Sequence, residues 1–162
     1  MKSMLFSIGL ISLILGCSTA EKETKSTTIA EQEISIDYDS LAAIWMYDFN
    51  QETEEFEIKQ LRTIDSNTLS GEILEKIINK MYPRVQINFI RTSNDTAFIS
   101  IPDSQVLTQQ MGSAGAESFM ISTTYSFTEL NGIKYVSFDF TEGDHARPGV
   151  YSRNSWDENI VQ

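Results

Sequence analysis

The chain contains a single cysteine, Cys17, and the residues before it indicate what that thiol does. Residues 4–15 form an almost wholly apolar run, which follows Lys2 and is followed by Gly16. A helix that spans a bilayer needs about 20 apolar residues, so this run is too short to span one and instead suits the apolar region of a secretory signal. Because the thiolate is a strong nucleophile, Cys17 is a candidate for covalent modification.

The order of an aliphatic pair, Gly16 and Cys17 resembles the lipobox of bacterial lipoproteins. The resemblance implies that residues 1–16 are a signal peptide cleaved between Gly16 and Cys17. It also implies that Cys17 carries a diacylglyceryl group and that the new amino terminus takes a further acyl chain such as palmitate. Two or more acyl chains anchor a protein stably, since each buried CH₂ contributes about 0.8 kcal/mol. The alternative is an ordinary cleaved signal with a chance cysteine.

The acidic composition limits the partners that we expect. The chain has 23 Asp and Glu against 12 Lys and Arg, which gives a formal net charge of −11. Nucleic acid attracts Lys and Arg patches, so we expect no nucleic-acid partner. No basic cluster lies beside Cys17 to bind anionic lipid, so we expect membrane attachment through the lipidated Cys17 alone. Widely spread acids indicate solubility and mutual repulsion at the membrane surface, with cation binding as the alternative.

The residue types that usually carry catalysis occur without their usual spacing. His145 is the only histidine and has no H-x-x-H partner, so a surface loop is its simplest interpretation. Gly112–Gly115 (GSAG) lacks the G-x-S-x-G spacing and indicates the entry to a helix. The acids at 48–55 lack the order of a calcium loop, which favours a solvated hairpin tip. We therefore expect no enzyme, no metal and no cofactor.

Polar and apolar patterns divide the rest of the chain. Residues 17–40 are rich in Ser, Thr and Glu and predict a flexible tether. A folded domain is predicted over 41–153, followed by a tail over 154–162. The domain opens with two strands, at 41–49 and 56–64.

A helical apolar stripe comes next, and its members are Leu69, Ile73, Leu74, Ile77, Ile78 and Met81. Pro83 ends this helix, because the residue before a proline avoids the helical region.

The second half of the domain has the pattern hairpin, helix, strand. Strands at 85–90 and 97–101 are predicted to join through a five-residue turn at 91–95. A helix is predicted over 116–130, and a last strand over 135–140. The order ββαββαβ predicts a single two-layer α+β sandwich with two helices packed on a small mixed sheet. The residues from Thr141 onward have an irregular pattern.

Three stretches of the domain resemble the GerMN domain of bacterial sporulation and spore-germination proteins and of some envelope lipoproteins. They are IWMYDF with FEIKQLRTI and the helix EILEKIINKMYP, then DTAFISIPDSQVLTQQMGSAGAES, then MISTTYSFTELNGIKYVSFDFTEG. The chain departs from the family in having Tyr82-Pro83-Arg84 in place of a Gly-Pro loop, and in having room for one copy. The resemblance implies a non-catalytic domain of the cell envelope that works through protein–protein contacts.

Three residues near the end of the chain are candidates for binding such an envelope protein: Trp156, Tyr151 and Arg153. Trp156 either folds back to cap the sheet or stands exposed as an aromatic anchor for a partner. Two alternatives to protein contacts remain open. One is binding of a small ligand or cell-wall fragment through Tyr125, Tyr135 and Tyr151. The other is an envelope hydrolase, which requires a cleft with a titratable pair.

Overall fold

The structure is a computed structural model that describes residues 42–156. The predicted signal peptide, the lipidation site at Cys17, the tether over 17–40 and the last six residues lie outside the described residues. Strand, turn and helix follow one another from Trp45 to Trp156.

The first two strands form a hairpin of their own. Strand β1 (Trp45–Asn50) pairs antiparallel with strand β2 (Glu55–Gln60) over their full lengths. The turn between them places Glu54 at φ 59°. The two predicted strands are confirmed, although β2 ends four residues before the predicted boundary at 64. They form a separate two-stranded sheet and do not join the main one.

Helix α1 (Gly71–Met81) carries the predicted apolar stripe. Leu74, Ile77 and Ile78 are fully buried, and Ser70 caps the helix by accepting a hydrogen bond from the backbone N–H of Ile73. The helix begins two residues later than predicted, because residues 66–68 form a separate 3-10 turn with its own cap. It ends before Pro83, as predicted.

A four-stranded mixed sheet forms the centre of the fold, in the order β3 (Asn88–Ser93), β4 (Thr96–Ser100), β5 (Tyr135–Asp139) and β6 (Gly149–Tyr151). Strands β4 and β5 are parallel, and the outer pairs are antiparallel. The predicted alternation is confirmed, since Ala97 and Ile99 of β4 and Val136 and Phe138 of β5 are all buried.

The predicted five-residue turn at 91–95 is wrong. Residues 91–93 continue β3, and the hairpin closes through Asn94 and Asp95 alone. Asn94 has φ 53°, a left-handed conformation that asparagine tolerates better than most residues. The polar run was mistaken for a loop because β3 is an edge strand whose side chains are largely exposed.

Helix α2 (Gly112–Phe127) follows directly on a π-helix (Val106–Gln110). Gly112, the first residue of α2, has φ 71°, a conformation that favours glycine, so the predicted role of GSAG as a helix entry is confirmed, and the helix begins four residues before the predicted boundary at 116. The helix ends at Phe127, three residues before the predicted boundary. A turn at residues 131–132 then leads toward β5.

Helix α2 packs on two partners. Its apolar residues, including Phe119 and Phe127, are buried in the main core, and its opposite side lies against β1. There the Ser122 hydroxyl accepts hydrogen bonds from the backbone N–H of Tyr47 at 2.9 Å and from the Tyr82 hydroxyl at 3.1 Å. The result is the expected α+β architecture, with the hairpin as an addition on the far side of α2.

The last part of the fold corrects the expectation of an irregular tail. Strand β6 pairs with β5, and a 3-10 turn (Arg153–Trp156) follows it. The fold therefore continues beyond residue 153, the predicted end of the domain. Within residues 42–156, none of the helices is both long enough and apolar enough to cross a membrane.

Candidate functional site

A cleft opens between the first turns of α2 and the segment that runs from the end of β5 to Trp156. Its volume is about 280 Å³. Six residues supply most of the chemistry of its walls, and they are Ser113, Glu117, His145, Arg147, Tyr151 and Trp156.

One wall of the cleft is a loop held tightly against the π-helix. The backbone N–H of His145 donates to the carbonyl of Thr108 at 3.1 Å, and that of Gly143 donates to the carbonyl of Ala146 at 3.2 Å. A Cβ atom at Gly143 would lie only 2.6 Å from Cβ of Thr108, so this close approach requires glycine. Short π-helical turns are frequent at functional sites, and here the π-helix fixes the position of His145.

The other wall is aromatic. The rings of Tyr151 and Trp156 stack with centroids 5.0 Å apart and planes 7° apart. The Tyr151 hydroxyl donates to the carbonyl of Arg147 at 2.9 Å, and burial raises the pKa of this phenol. Trp156 is 9% exposed, so it folds back on the sheet as the capping interpretation predicts. Its buried indole N–H has no acceptor within the part of the chain that the structure describes.

A serine and the only histidine meet at the mouth of the cleft. The Ser113 hydroxyl lies 3.3 Å from Nδ1 of His145. A serine nucleophile needs a base that is itself oriented by a third group. Within residues 42–156, no carboxylate hydrogen bonds to this imidazole. The Ser113–His145 pair that a serine hydrolase would use is therefore present. The third group, which would orient the His145 ring, is not present among the described residues.

Arg153 lies outside the cleft, in a cluster that fastens the end of the fold. Its guanidinium donates to Oε1 of Glu129 at 2.6 Å and to Oγ1 of Thr128 at 2.8 Å. It also lies 5.1 Å from the ring centroid of Trp45 and 4.8 Å from that of Tyr125. Of the three candidate partner-binding residues, the structure brings Tyr151 and Trp156 together and uses Arg153 for internal contacts.

The three tyrosines of the small-ligand hypothesis do not share a site. Tyr125 packs beside Arg153, Tyr135 is exposed on the sheet, and Tyr151 lines the cleft. The cleft itself was missed because Ser113 and His145 are 32 residues apart and belong to no common motif.

The face of the four-stranded sheet that points away from the core is open to solvent, and we call it the outer face. One row of side chains crosses all four strands in register, and its members are Arg91, Phe98, Ser137 and Val150. The Arg91 guanidinium lies 4.1 Å from the centroid of the Phe98 ring. Ile90, Tyr135 and Val150 are 57%, 40% and 61% exposed. Along β4 and β5, the residues of the outer face alternate with the buried residues. The alternation in the sequence therefore also predicts the outer face.

The acidic hairpin tip is organised by its own hydrogen bonds. Asn50 and Thr53 both donate to the Glu57 carboxylate, and these bonds hold the pKa of Glu57 below its usual value. Across the described residues, no three His, Cys, Asp or Glu side chains are grouped so that they could hold a metal ion.

Comparison with known proteins finds no relative of this chain. No family model, no curated protein and no solved structure matches the chain. The GerMN resemblance therefore stays a prediction.

Proposed function

We propose that the protein is a lipoprotein of the cell envelope whose domain mediates protein–protein contacts without catalysis. The observation that supports this function best is the outer face of the sheet. Exposed apolar side chains that lie together on a soluble domain commonly mark an interaction site. Tyr135 and Val150 belong to such a group with Phe98 on the neighbouring strand β4, and the exposed Ile90 lies at a bulge of β3 next to Arg91.

The chemistry of the outer face suggests what kind of protein would bind there. Aromatic residues and arginine are enriched in interfaces, and tyrosine and arginine are frequent hot spots. Arg91 already lies over Phe98, where it presents a cation at the edge-strand end of this row. We propose a partner protein that offers apolar side chains together with a carboxylate for Arg91. The predicted lipid on Cys17 would keep the domain close to other envelope proteins.

A photo-crosslinking experiment tests this interface. A photoreactive phenylalanine analogue at position 150 should capture one envelope protein in intact cells, whereas the same analogue at Glu72, an exposed position on α1, should not. The captured protein, once purified, should bind the full-length protein directly. Val150→Asp should weaken that binding about ten-fold or more, because it buries a charge in the apolar contact. Equal capture at both positions, or an unchanged affinity for Val150→Asp, would contradict the proposal.

Lipidation is tested separately. The mature protein should begin at Cys17 and carry diacylglyceryl, and Cys17→Ser should release the chain from membranes. Mass spectrometry of the purified protein decides this point. An unmodified thiol, or a chain that still begins at Met1, would show that the proposed location is wrong.

The cleft supports a second candidate function, binding of a small ligand. Ligand pockets in proteins occupy about 300 to 1,000 Å³, and the cleft, at about 280 Å³, lies just below this range. It also combines an aromatic wall with several polar groups, which is the usual composition of such sites. An NMR titration with small peptides and sugars tests this function: a saturable shift of the Trp156 indole N–H signal, with that of Trp45 unchanged, would support it, and no shift with any of them would contradict it.

A further inference from the structure

We infer that the open edge of strand β2, formed by the backbone groups of Phe56, Ile58 and Gln60, binds the same edge of a second copy of this chain. The two copies form an antiparallel ladder in which Ile58 meets Ile58. This edge belongs to the two-stranded sheet, whereas the outer face belongs to the four-stranded sheet. The inference therefore adds a self-contact to the proposed function and does not depend on it.

The register of the hairpin shows which backbone groups of β2 point away from β1. The backbone N–H of Leu61 donates to the carbonyl of Ile44 at 2.8 Å, and the pairing of the two strands continues from there without a register shift. In an antiparallel pair, residues alternate between bonding the partner strand and pointing away from it. The N–H and C=O groups of the even-numbered residues therefore form the open edge. Among residues 42–156, no other element bonds to these groups.

The other strand edges of the fold are covered or short. At the edge of β1, Ser122 accepts the N–H of Tyr47 and Ser118 donates to the Tyr47 carbonyl. The edge strand β3 carries a bulge, and its Phe89 N–H donates to Glu75 of α1. Strand β6 is only three residues long. Since proteins usually block their strand edges, the six-residue edge of β2 is a site where another strand can add.

The charges along β2 select a second copy as that strand. When Ile58 lies opposite Ile58, Glu57 of each copy lies opposite Lys59 of the other, in the pair type whose side chains are closest. The neighbouring registers, with Ile58 opposite Phe56 or Gln60, place Glu57 opposite Glu57 or Lys59 opposite Lys59. Directly opposed unlike charges stabilise a ladder and like charges destabilise it. The sequence of β2 is therefore complementary to itself in one register.

The side chains involved are accessible to a second copy. Glu57 and Lys59 lie 3.2 Å apart on the same side of the hairpin, and their side chains are 26% and 54% exposed. Pairing joins two such ion pairs into a cluster of four charges around the two-fold axis. On the other side of the hairpin, the half-buried Ile58 meets its own copy. The acidic hairpin tips lie at opposite ends of the ladder, where Glu55 faces Leu61.

The contact is small, which sets the strength that we expect. Each hydrogen-bonded pair exchanges two bonds, so the ladder contains about six. Contacts that bury less than about 1,200 Å² are typical of transient complexes. We therefore expect a weak and reversible dimer, which a disulfide can trap.

Disulfide trapping in the full-length protein tests this dimer. Opposed Cα atoms of a hydrogen-bonded pair are about 5.5 Å apart, which suits a disulfide. Ile58→Cys should therefore give a covalent dimer in a glutathione redox buffer, as a non-reducing gel will show. Gln60→Cys is the matched control, because its two copies would lie about 14 Å apart, too far for a bridge. The parent chain, whose only cysteine is Cys17, controls for cross-links outside β2.

Charge reversal tests the register. In the Ile58→Cys background, Lys59→Glu and Glu57→Lys should each lower the dimer yield about five-fold or more, because each places like charges opposite one another. An equal mixture of these two variants should restore the yield, since every carboxylate then lies opposite an ammonium group. Val150→Asp should leave the yield unchanged, which separates this contact from the outer face.

Three outcomes would overturn the inference. Equal dimer yields for Ile58→Cys and Gln60→Cys, or no restoration in the mixture, would show that the copies do not pair in this register. A chain that stays monomeric at about 1 mM would show that the edge does not bind a second copy. A disulfide from position 58 to a different envelope protein in oxidised cells would assign the edge to that protein instead.

Discussion

Nη2 of Arg153 lies 2.6 Å from Oε1 of Glu129, and this ion pair joins the 3-10 turn at Arg153–Trp156 to the turn that follows α2. The same carboxylate oxygen accepts the indole N–H of Trp45 at 2.9 Å. One glutamate thus connects the first strand, the turn after the second helix and the 3-10 turn that contains Arg153. Because these three elements are far apart in sequence, their connection should contribute to the stability of the whole domain.

Replacing Arg153 tests that contribution. Arg153→Ala removes the ion pair, two further hydrogen bonds and the packing against the rings of Trp45 and Tyr125. We expect the free energy of unfolding to fall by about 1 to 2 kcal/mol, since the pair is partly exposed and therefore partly screened. Urea denaturation followed by circular dichroism provides the measurement.

The control for this experiment is Arg147→Ala. Arg147 makes a single exposed ion pair with Glu142 at 3.1 Å, and such pairs contribute about 0 to 1 kcal/mol. Arg153→Lys should lie between the parent and Arg153→Ala, because lysine keeps the charge and loses the planar contacts. Equal stabilities of Arg153→Ala and Arg147→Ala would refute the role assigned to Arg153.

Two buried serines of α2 should differ in their importance for stability. Ser122 accepts the backbone N–H of Tyr47 and the hydroxyl of Tyr82, so Ser122→Ala removes the acceptor of the Tyr47 N–H and leaves Ser118 as the partner of the Tyr82 hydroxyl. The expected loss is about 1 to 3 kcal/mol. Among residues 42–156, the Ser126 hydroxyl donates only to the carbonyl of Ser122 one turn back, so Ser126→Ala should cost much less. Urea midpoints of the two variants give the comparison, and a larger loss for Ser126→Ala would overturn it.

Gly71 begins α1, where alanine would ordinarily be the better helix former by about 0.5 to 1 kcal/mol. Here a Cβ atom would lie 2.3 Å from Cζ of Phe89, whose ring stacks on Phe127. We therefore expect Gly71→Ala to destabilise the protein by about 1 to 3 kcal/mol.

A double-mutant cycle identifies the cause of that loss. Phe89→Leu removes the ring that the new methyl group would meet, so Gly71→Ala should cost clearly less in the Phe89→Leu background. Thermal or urea unfolding of the four proteins is sufficient. If the cost of Gly71→Ala is the same in both backgrounds, the clash with Phe89 is not its source.

Alkaline pH should destabilise the fold through its buried tyrosines. Burial raises the pKa of Tyr82 above the usual value of 10.0, against the smaller effect of its hydrogen bonds with Ser118 and Ser122. Burial raises the pKa values of Tyr47 and Tyr151 as well. The unfolded chain therefore loses these protons at lower pH than the folded chain does. The resulting stabilisation is complete below pH 10 and is lost as the pH rises through the folded values.

Urea unfolding at a series of pH values from 8 to 11 checks this expectation. The free energy of unfolding should be flat at first and then decline above about pH 10. Tyr82→Phe should make the decline shallower, because phenylalanine does not titrate. An identical decline in the variant would show that Tyr82 is not among the groups responsible.

Helix α1 was predictable because its apolar side chains face the core at helical spacing, so the stripe alone identifies it. The pattern did not show that Glu75 and Asn79 of this helix accept hydrogen bonds from the backbone N–H groups of Phe89 and Ile87. Helix α2 is different, because Ser118 and Ser122 look solvent-facing in the sequence and are instead used to bind the backbone of β1. Local patterns cannot distinguish a hydroxyl that faces water from one that faces a neighbouring strand.

The candidate site was less accessible to sequence reasoning. Tyr151 and Trp156 were singled out for their type and position, and they do line the cleft. Ser113 and His145 were each interpreted alone, and only the folding of the loop onto the π-helix brings them together. Strand β6 was missed because its three residues, Gly149–Tyr151, are too few to show alternation.

The parallel pairing of β4 with β5 has a consequence for how the chain matures. The central strand β5 needs β6 on its other side, and β6 is covered by the ring of Trp156. A chain made amino terminus first can form the hairpin and α1 early, yet it cannot close its main sheet until Trp156 has been made. Folding of this domain is therefore completed only after that tryptophan leaves the ribosome, and shorter nascent chains remain open to proteolysis.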